Sequence, residues 1–345
     1  MSDLVLRPLA LGRYPTPVER LDILSTAHAE LWVKRDDLTH DVCGGNKVRK
    51  LEWLLADARA RGARRVVAVG AAGSHHVLTT AYFAKQEGLD VEAVLVPQPR
   101  TQHVVEVLRA AIALGVRATP ALSWGAAAAV LLLRRARAEK STRFLPVGGS
   151  SVLGSMGYVT AARELAAQVR AGAMPEPDLC VVALGSGGTA AGLAAGFAAE
   201  RLKTRVVGVC VSKPVWLLRL RVILLAKACA RRTVERASLL RLTVDRRFLG
   251  AGYGHPTSEG EEATRLAARA GLVLDATYTA KAFAAALWHV ATAEAHRTRT
   301  ILYWHTLGSH SFVSDNANKE ETLPIPLKEE FGPLARLLLT TAAAK

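Results

Sequence analysis

Lys47 and Lys50 lie one helical turn apart, directly after a Gly-Gly-Asn turn, and are the side chains best placed for chemistry. Two glycines let the backbone adopt positive φ and approach a ligand closely. Apolar residues recur at helical spacing from Leu51 onward, which predicts that both lysines lie in the first turn of a helix. Cations are unfavourable at that end of a helix dipole unless they share an anion. The spacing therefore indicates an anion-binding site, with two ordinary surface lysines as the alternative.

A glycine-rich stretch, Gly185 to Gly192, follows the predicted strand Leu179–Leu184. A strand, a glycine turn and an alanine-rich helix together form a cradle for phosphate. The stretch also fits the loose dinucleotide fingerprint, but the next strand ends in Val211-Ser212-Lys213, without the carboxylate that would hold a ribose. No Gly-Lys-Ser/Thr of a P-loop is present either. A single phosphate monoester is favoured over a dinucleotide or ATP, with a purely structural glycine turn as the alternative.

Ser74, His75 and His76 follow another predicted strand, Val66–Gly70. Successive backbone N–H groups in such a turn can hold a carboxylate, and the Ser74 hydroxyl can transfer a proton if it is activated. The alternative for Ser74 is a simple helix N-cap. No third ligand lies near the two histidines in the sequence, so we expect no metal site.

Hydroxyl groups follow two further predicted strands. Tyr278 and Thr279 come after Leu272–Leu274, and Thr306 comes after Thr300–Trp304, although helix capping explains each threonine equally well. Pyridoxal phosphate needs a Schiff-base lysine, a phosphate cradle and a partner for its ring nitrogen. This sequence matches all three needs: it has one lysine for the Schiff base, a second lysine with a glycine loop for the phosphate, and neutral hydroxyls at strand ends for the ring nitrogen.

Short β-rich runs alternate with helical segments, which predicts an α/β fold with mostly parallel sheets flanked by helices. Ligands of such folds bind beyond the carboxyl ends of the strands, where the segments above lie. The other predicted strands are Val91–Val96, Val116–Thr119, Arg143–Val147 and Arg205–Val211. The predicted helices are Thr79–Lys85, Thr101–Leu114, Trp124–Lys140, Ser155–Arg170, Thr189–Glu200, Ser258–Ala270 and Ala280–Ala293.

Composition indicates a globular protein with two domains, since the chain has 345 residues of which 50% are hydrophobic. Its four cysteines are scattered without a C-x-x-C pair, which argues against a disulfide framework or a zinc site and fits a reducing cytosol. The first residues lack the apolar region of a signal peptide, and no apolar run reaches the length of a membrane span. We therefore expect a cytoplasmic location and no membrane partner.

The net charge of +15 comes largely from arginines in predicted helices, and aromatic residues make up only 6% of the chain. Nucleic-acid binders combine clustered basic residues with interleaved aromatics or a recognisable module. Neither is present, so a solvated basic surface is expected and no nucleic-acid partner. Such a surface can still attract anionic substrates.

From about Arg13 to Gly308 the chain resembles the fold-type II pyridoxal-phosphate enzymes of the 1-aminocyclopropane-1-carboxylate deaminase/D-cysteine desulfhydrase family. The resemblance implies a two-domain fold like that of the tryptophan synthase β subunit, and a homodimer. It places residues 1–47 and 156–325 in a larger cofactor-binding domain, 48–155 in a smaller α/β domain and 326–345 in a C-terminal tail. The segments that carry it are Val33 to Leu38, Gly44 to Glu52, Pro146 to Ser150, Leu153 to Tyr158 and Gly185 to Gly192.

The resemblance also implies roles for individual residues. Lys47 would form the Schiff base with the cofactor, and Ser74 would lie near it and near the substrate. Tyr253 and Tyr278 match the family's two active-site tyrosines, and His75 and His76 lie in the substrate loop, with His75 near the cofactor ring. The expected ligands of the cofactor phosphate and ring are Asn46, Lys50, Gly185, Ser186, Gly187, Gly188, Thr189, Thr279 and Thr306.

Thr279 and Thr306 stand where the deaminase branch has Glu and Leu, and so resemble the desulfhydrase branch. A neutral threonine near the ring nitrogen gives a weaker electron sink than a carboxylate, which suits β-elimination of a good leaving group. We therefore expect conversion of D-cysteine to pyruvate, sulfide and ammonia. The alternatives are a 1-aminocyclopropane-1-carboxylate deaminase, an L-cysteate sulfo-lyase, another lyase of the family, or a catalytically silent homologue that only binds a ligand.

Several residues depart from the family's pattern. The family usually has Gln-Ser-Asn before the last residue of the substrate loop, whereas this chain has Gly73-Ser74-His75. Leu78 replaces a basic residue, and Leu307 replaces a glycine in the last loop. These changes lie around the amino-acid pocket and the ring, so cofactor binding is still expected and the substrate stays open among the alternatives above.

Overall fold

The computed structural model describes residues 6–233, 240–293 and 299–308, together with the backbone of 339–340. Its strands are β1 (Val18–Arg20), β2 (Ala29–Arg35), β3 (Arg65–Ala71), β4 (Asp90–Val96), β5 (Gln98–Pro99), β6 (Arg117–Pro120), β7 (Thr142–Phe144), β8 (Leu179–Leu184), β9 (Arg205–Cys210), β10 (Leu242–Asp245), β11 (Arg299–His305) and β12 (Leu339–Thr340). Its helices are α1 (Asn46–Ala60), α2 (His75–Gln86), α3 (Gln102–Ala113), α4 (Trp124–Ala136), α5 (Val152–Arg170), α6 (Gly188–Ala199), α7 (Val215–Ala230), α8 (Ser258–Arg269) and α9 (Thr279–Ala291).

The strands form two main sheets. The larger has the strand order β1-β2-β11-β8-β9-β10, and its pairs are parallel except for β1 with β2. The smaller has the order β6-β4-β3-β7 and is parallel throughout. β5 pairs with β12 in a separate short ladder. The predicted α/β fold with mostly parallel sheets is confirmed, whereas the division into domains at residues 47 and 155 stays a prediction.

Helices cover both faces of the larger sheet, which explains why its central strands are almost continuously apolar. Val182 and Leu302 pack with side chains of α5 and α6 on one face. Their neighbours Val181 and Ile301 pack with α9 on the other face. The two cores hold β8 and β11 rigidly, so the loops at the carboxyl ends of these strands have a fixed base.

A buried network of charged side chains anchors α1 to the larger sheet. Arg49 of α1 contacts Asp36 at 2.8 Å and Glu164 of α5 at 2.9 Å. Asp36 also accepts hydrogen bonds from the Tyr158 hydroxyl at 2.7 Å and the Trp304 indole N–H at 2.8 Å. Because every charge in this network has partners, its burial is tolerated. The helix that carries Lys47 and Lys50 is thereby held against α5 and β11.

One predicted strand is wrong: Leu272–Leu274 is not a strand. Gly271, just past the end of α8, has a φ of +70°, and the Leu272 N–H donates to the Ala267 carbonyl of that helix. Leu272 is therefore part of the C-terminal cap of α8. Leu272 is buried against that helix end. A short apolar run is compatible with a strand or with a buried helix end, and this run begins at a buried helix end.

Helix α2 begins earlier than predicted, at His75 rather than Thr79. The reason is the Ser74 hydroxyl, which accepts a hydrogen bond from the Val77 N–H and caps the helix. His75 and His76 therefore lie in the first turn of a helix rather than in a loop. In the part of the chain that the structure describes, no helix has the length and hydropathy of a membrane span.

Candidate active site

Lys47 is the second residue of α1, and the turn before it packs against the end of β11. Gly45 has a φ of +90°, and a Cβ atom there would lie 2.7 Å from the Cα atom of Gly308. The Asn46 N–H donates to the Thr306 carbonyl at 3.3 Å. This turn requires glycine both for its φ and for the close approach of the two chain segments. It brings Lys47 to the carboxyl edge of the larger sheet.

The Lys47 ammonium donates to the Asn46 side-chain oxygen at 2.6 Å. The amide nitrogen of Asn46 in turn donates to the Thr189 hydroxyl at 3.3 Å, so Asn46 joins Lys47 to the glycine-rich loop. Desolvation lowers the pKa of Lys47 to about 8, against an opposing effect of the Asp275 carboxylate. A lysine that loses its proton near neutral pH can act as a nucleophile and a base.

Lys50, Ser150 and Ser186 converge beside the start of α6. The Lys50 ammonium donates to the Gly148 carbonyl at 3.1 Å and to the Ser150 hydroxyl at 3.4 Å. The Ser150 hydroxyl oxygen lies 2.7 Å from that of Ser186 and accepts the Gly188 N–H at 3.0 Å. A cation, two hydroxyls and a helix N-terminus therefore point at one place, which is the arrangement that a phosphate requires.

The charge of Lys50 supports the same conclusion. Its side chain is 2% exposed, and its pKa lies well below the usual value because of burial and, secondarily, the cations Lys47 and Arg221. Among the residues described, no carboxylate forms an ion pair with Lys50. A buried cation surrounded by other cations is unfavourable until an anion joins it. The cradle thus fits a phosphate group.

The tyrosines predicted for the active site form a pair. The Tyr278 hydroxyl donates to the Tyr253 hydroxyl at 3.0 Å, and the ring centroids lie 5.6 Å apart at 81°. A Cβ atom at Gly185 would meet the Tyr278 ring at 2.8 Å, so the missing side chain lets the ring lie on the glycine-rich loop. Burial raises the pKa of both phenols, well above the usual value for Tyr278. Both are neutral acids at physiological pH.

Asp275 was given no role from the sequence, yet it organises this side of the site. Its carboxylate accepts the N–H groups of Thr277, Tyr278 and Thr279 at 2.7–3.1 Å, and the Thr279 hydroxyl at 2.6 Å. This carboxylate caps the start of α9 and orients Tyr278. An aspartate just before a predicted helix is the sequence signal for such a cap. Ser150 lies in the segment Pro146 to Ser150, which carries the family resemblance, but the sequence indicates no role for it.

The start of α2 brings His76 near the two lysines. His76 is 3% exposed, and its pKa falls to about 3 because of burial and then the charges of Lys47 and Lys50, against a weaker opposing effect of the Pro146 backbone. His76 is therefore a neutral imidazole. The Nε2 atom of His75 lies 2.8 Å from that of His103, so this ring packs on α3.

The structure thus brings Asn46, Lys47 and Lys50 together with the glycine-rich loop, and it places Tyr278 on that loop. Thr279 bonds to Asp275, and Thr306 contributes a carbonyl to the turn before Lys47. The catalytic and binding roles of these residues, and those of Ser74, His75 and His76, stay predictions. Within the described ranges, no group of three or more His, Cys, Asp or Glu side chains is arranged to hold a metal ion.

Residues 9–306 match the family of pyridoxal-phosphate dependent enzymes. The chain belongs to this family. A solved structure of an ACC deaminase homologue is 30% identical to this chain, with a TM-score of 0.75, and the match covers 92% of this chain and 97% of the other. The fold is that of the fold-type II enzymes with this cofactor, and the predicted cofactor, pyridoxal phosphate, is confirmed.

More distant structures share the same fold. A hydrogen sulfide-producing enzyme from Fusobacterium nucleatum is 14% identical, with a TM-score of 0.61 over 88% of this chain and 96% of the other. An L-serine ammonia-lyase from the fungus Rhizomucor miehei is 16% identical, with a TM-score of 0.62 over 90% and 99%. At these identities the similarity concerns the fold alone.

Proposed function

We propose that this protein is a pyridoxal-phosphate dependent lyase that catalyses α,β-elimination on a small amino acid, with D-cysteine as the substrate and pyruvate, sulfide and ammonia as the products. The observation that carries the proposal is Lys47, a lysine with a pKa of about 8 that Asn46 joins to a phosphate cradle. The Tyr278–Tyr253 pair lies on the same glycine-rich loop and supplies neutral acids.

Bound pyridoxal phosphate delocalises negative charge that develops at the α-carbon of an amino acid. Lys47 would bind it covalently, and Lys50, Ser150, Ser186 and the Gly188 N–H would hold its phosphate. These groups already contact one another, so little rearrangement is needed to receive an anion.

The remaining steps belong to side chains of this chain. Lys47, once neutral, takes the α-proton of the substrate, for which its lowered pKa is suited. One phenol of the tyrosine pair gives a proton to the departing sulfur, because the raised pKa values keep both phenols protonated. The backbone N–H groups at the start of α2 hold the substrate carboxylate.

The threonine at position 279 favours elimination over ring opening. Its hydroxyl is engaged by Asp275 at 2.6 Å, and its side chain carries no charge. A carboxylate at this position would strengthen the electron sink, which a cyclopropane substrate needs because it has no leaving group. A thiol leaves readily, so a weaker sink is sufficient for D-cysteine.

A keto-acid and sulfide assay over a panel of substrates tests the proposal. We expect D-cysteine to give equal amounts of pyruvate and sulfide, and the Lys47→Ala variant to give neither. The proposed substrate would be wrong if another amino acid reacted faster than D-cysteine. Faster formation of 2-oxobutyrate would identify 1-aminocyclopropane-1-carboxylate as the substrate, and faster formation of sulfite would identify L-cysteate. Borohydride labelling of Lys47 without turnover of any amino acid would identify a silent homologue.

We further propose that the protein works as a homodimer in the cytoplasm and has neither nucleic-acid nor membrane partners. Light scattering coupled to gel filtration tests the oligomeric state. Weak binding to DNA with a steep dependence on salt would instead point to a nucleic-acid partner for the basic surface.

A further inference from the structure

Lys281 is a buried lysine whose ammonium group holds a turn of the backbone. It lies in the first turn of α9 and has no measurable exposure. Its Nζ atom donates to the Leu249 carbonyl at 2.8 Å and to the Gly252 carbonyl at 2.9 Å. A buried ammonium must satisfy its donors, and here backbone oxygens do so. The contacts tie α9 to a turn some 30 residues earlier in the chain.

The turn that Lys281 holds is rich in glycine and leads directly into Tyr253. Gly250, Gly252 and Gly254 all have positive φ, at +59°, +125° and +79°. Such a segment has high conformational freedom when it is unrestrained. Its own hydrogen bond, from the Gly252 N–H to the Leu249 carbonyl, spans 3.2 Å. The Leu249 side chain is also buried in the core. The two bonds from Lys281 add a direct connection between α9 and the backbone immediately before Tyr253.

The same helix also carries the second tyrosine. Tyr278 immediately precedes α9, and Asp275 fixes its backbone through the cap of that helix. Lys281 is three residues further on. One helix start thus orients Tyr278 directly and Tyr253 through the turn. The two hydroxyls that these connections lead to lie 3.0 Å apart.

We propose that Lys281 is a positioning residue, which places the Tyr253 hydroxyl against Tyr278 by clamping residues 249–252 to α9. The catalytic consequence rests on the proposed function, because it requires the tyrosine pair to act on the substrate. The placement itself does not depend on which amino acid the enzyme uses.

Lys281→Met tests the clamp, and Lys34→Met is the matched control. Lys34 is another fully buried lysine that donates to a backbone carbonyl, that of Thr16 at 2.6 Å, but it holds the network around Arg49 instead. In the protein loaded with pyridoxal phosphate, amide hydrogen exchange at residues 249–254 becomes faster in Lys281→Met and stays as in the wild type in Lys34→Met. Equal exchange in the Lys281 variant and the wild type would refute the clamp.

A double-mutant cycle with Tyr253→Phe separates positioning from general loss of stability. We expect Lys281→Met to lower kcat roughly 10- to 100-fold with little change in KM, since a displaced acid group costs about this much. In the Tyr253→Phe background the same substitution should cause no further fall, because its target is already removed. Additive losses in the two backgrounds would overturn the positioning role.

Two provisions keep the outcomes distinct. If Lys281→Met does not fold, Lys281→Arg replaces it, because arginine keeps a donor and a charge. Hydrogen exchange at residues 249–254 that is intermediate between the wild type and an unrestrained turn, with a partly restored kcat, would support the clamp. Exchange equal to that of the wild type, with lowered stability, would contradict it. If the wild type turns over no amino acid in the panel, the proposed function fails, and the exchange measurement still decides whether Lys281 holds the turn.

Discussion

Two groups of charged side chains on the same turn of α1 have opposite surroundings. Arg49 belongs to a paired cluster with Lys34, Asp36 and Glu164, in which each cation meets a carboxylate at 2.9 Å or less. Lys47 and Lys50 lie beside the neutral imidazole of His76, and the charged groups that act on Lys50 are the cations Lys47 and Arg221.

The pKa values express this difference. Burial alone would lower the pKa of Arg49, but Asp36 and Glu164 raise it well above the usual value. For Lys50, burial and the neighbouring cations act in the same direction and lower the pKa. A paired buried charge supports the fold, whereas an unpaired one is kept at the expense of stability and becomes favourable only when a ligand brings the missing anion. The contrast therefore distinguishes a structural residue, Arg49, from the residues proposed to bind the cofactor, Lys47 and Lys50, within one helical turn.

The largest expected effect is that of Lys47→Ala on turnover. Loss of the base and cofactor-binding amine should lower the rate at least about 1000-fold. The free energy of unfolding of the cofactor-free protein should not fall, because a desolvated cation has been removed. Keto-acid formation and urea unfolding measure the two quantities, with the exposed Lys85→Ala as control. A large fall in the free energy of unfolding would instead mean that Lys47, like Arg49, stabilises the fold.

Arg49→Met should have the opposite profile. It leaves Asp36 buried without the cation that contacts it and Glu164 with Lys34 alone, and we expect the free energy of unfolding to fall by about 3–5 kcal/mol. The matched control is Arg61→Met at the C-cap of the same helix, whose surface ion pair with Asp57 contributes below about 1 kcal/mol. Chemical denaturation of both variants, each without cofactor, checks the prediction. A near-zero effect for Arg49 would remove the distinction between the two groups.

Lys50→Met should weaken anion binding without harming the fold. Inorganic phosphate, used as a probe of the cradle in the cofactor-free protein, should bind roughly 10- to 100-fold more weakly, since a hydrogen bond to a charged group contributes about 1.5–3 kcal/mol. Isothermal calorimetry with wild type, Lys50→Met and Lys85→Met makes the measurement. Unchanged phosphate affinity in Lys50→Met would mean that the cradle lies elsewhere.

We also expect a pH dependence of stability from Lys47. Its pKa is about 8 in the folded protein and about 10.5 when unperturbed, so the unfolded chain binds more protons between these values. Stability therefore rises as pH increases from about 8 to about 10.5, and the contribution of the neutral amine is lost as pH falls through 8. Unfolding of cofactor-free wild type and Lys47→Met over this range should show a steeper rise of stability with pH in the wild type, because Lys50, whose pKa is also lowered, contributes to both curves. Parallel curves would contradict the lowered pKa.

Much of the fold was predictable because its signals are local. Apolar runs predicted β3, β4, β8, β9 and β11, and glycine turns predicted the anion-binding loops before α1 and α6. Leu272–Leu274 shows the limit of a short apolar run, since the capping of α8 decided its conformation. The elements β1, β2, β10 and α7 were not predicted at all.

Within the site, the sequence indicated Lys47, Lys50 and the glycine-rich loop, but it gave no function to Ser150 or Asp275. Ser150 lies 36 residues from Ser186, to which it bonds, and Asp275 acts on Lys47 from a distant part of the chain. The partner of His75, His103 on α3, was equally unforeseen. Such pairings depend on how separate helices pack, which no local pattern records.

By itself, the sequence determined many of the segments that become strands and helices, the places where the chain can turn tightly, and the cofactor that the protein uses. These properties follow from side-chain periodicity, from glycine's freedom at positive φ and from a specific run of residues around Lys47. Only the tertiary structure decided that Arg49 is paired with carboxylates and that the charged neighbours of Lys50 are cations. That difference arises because residues 47, 49 and 50 project from one helix toward different neighbours, and burial magnifies whatever charge each of them meets.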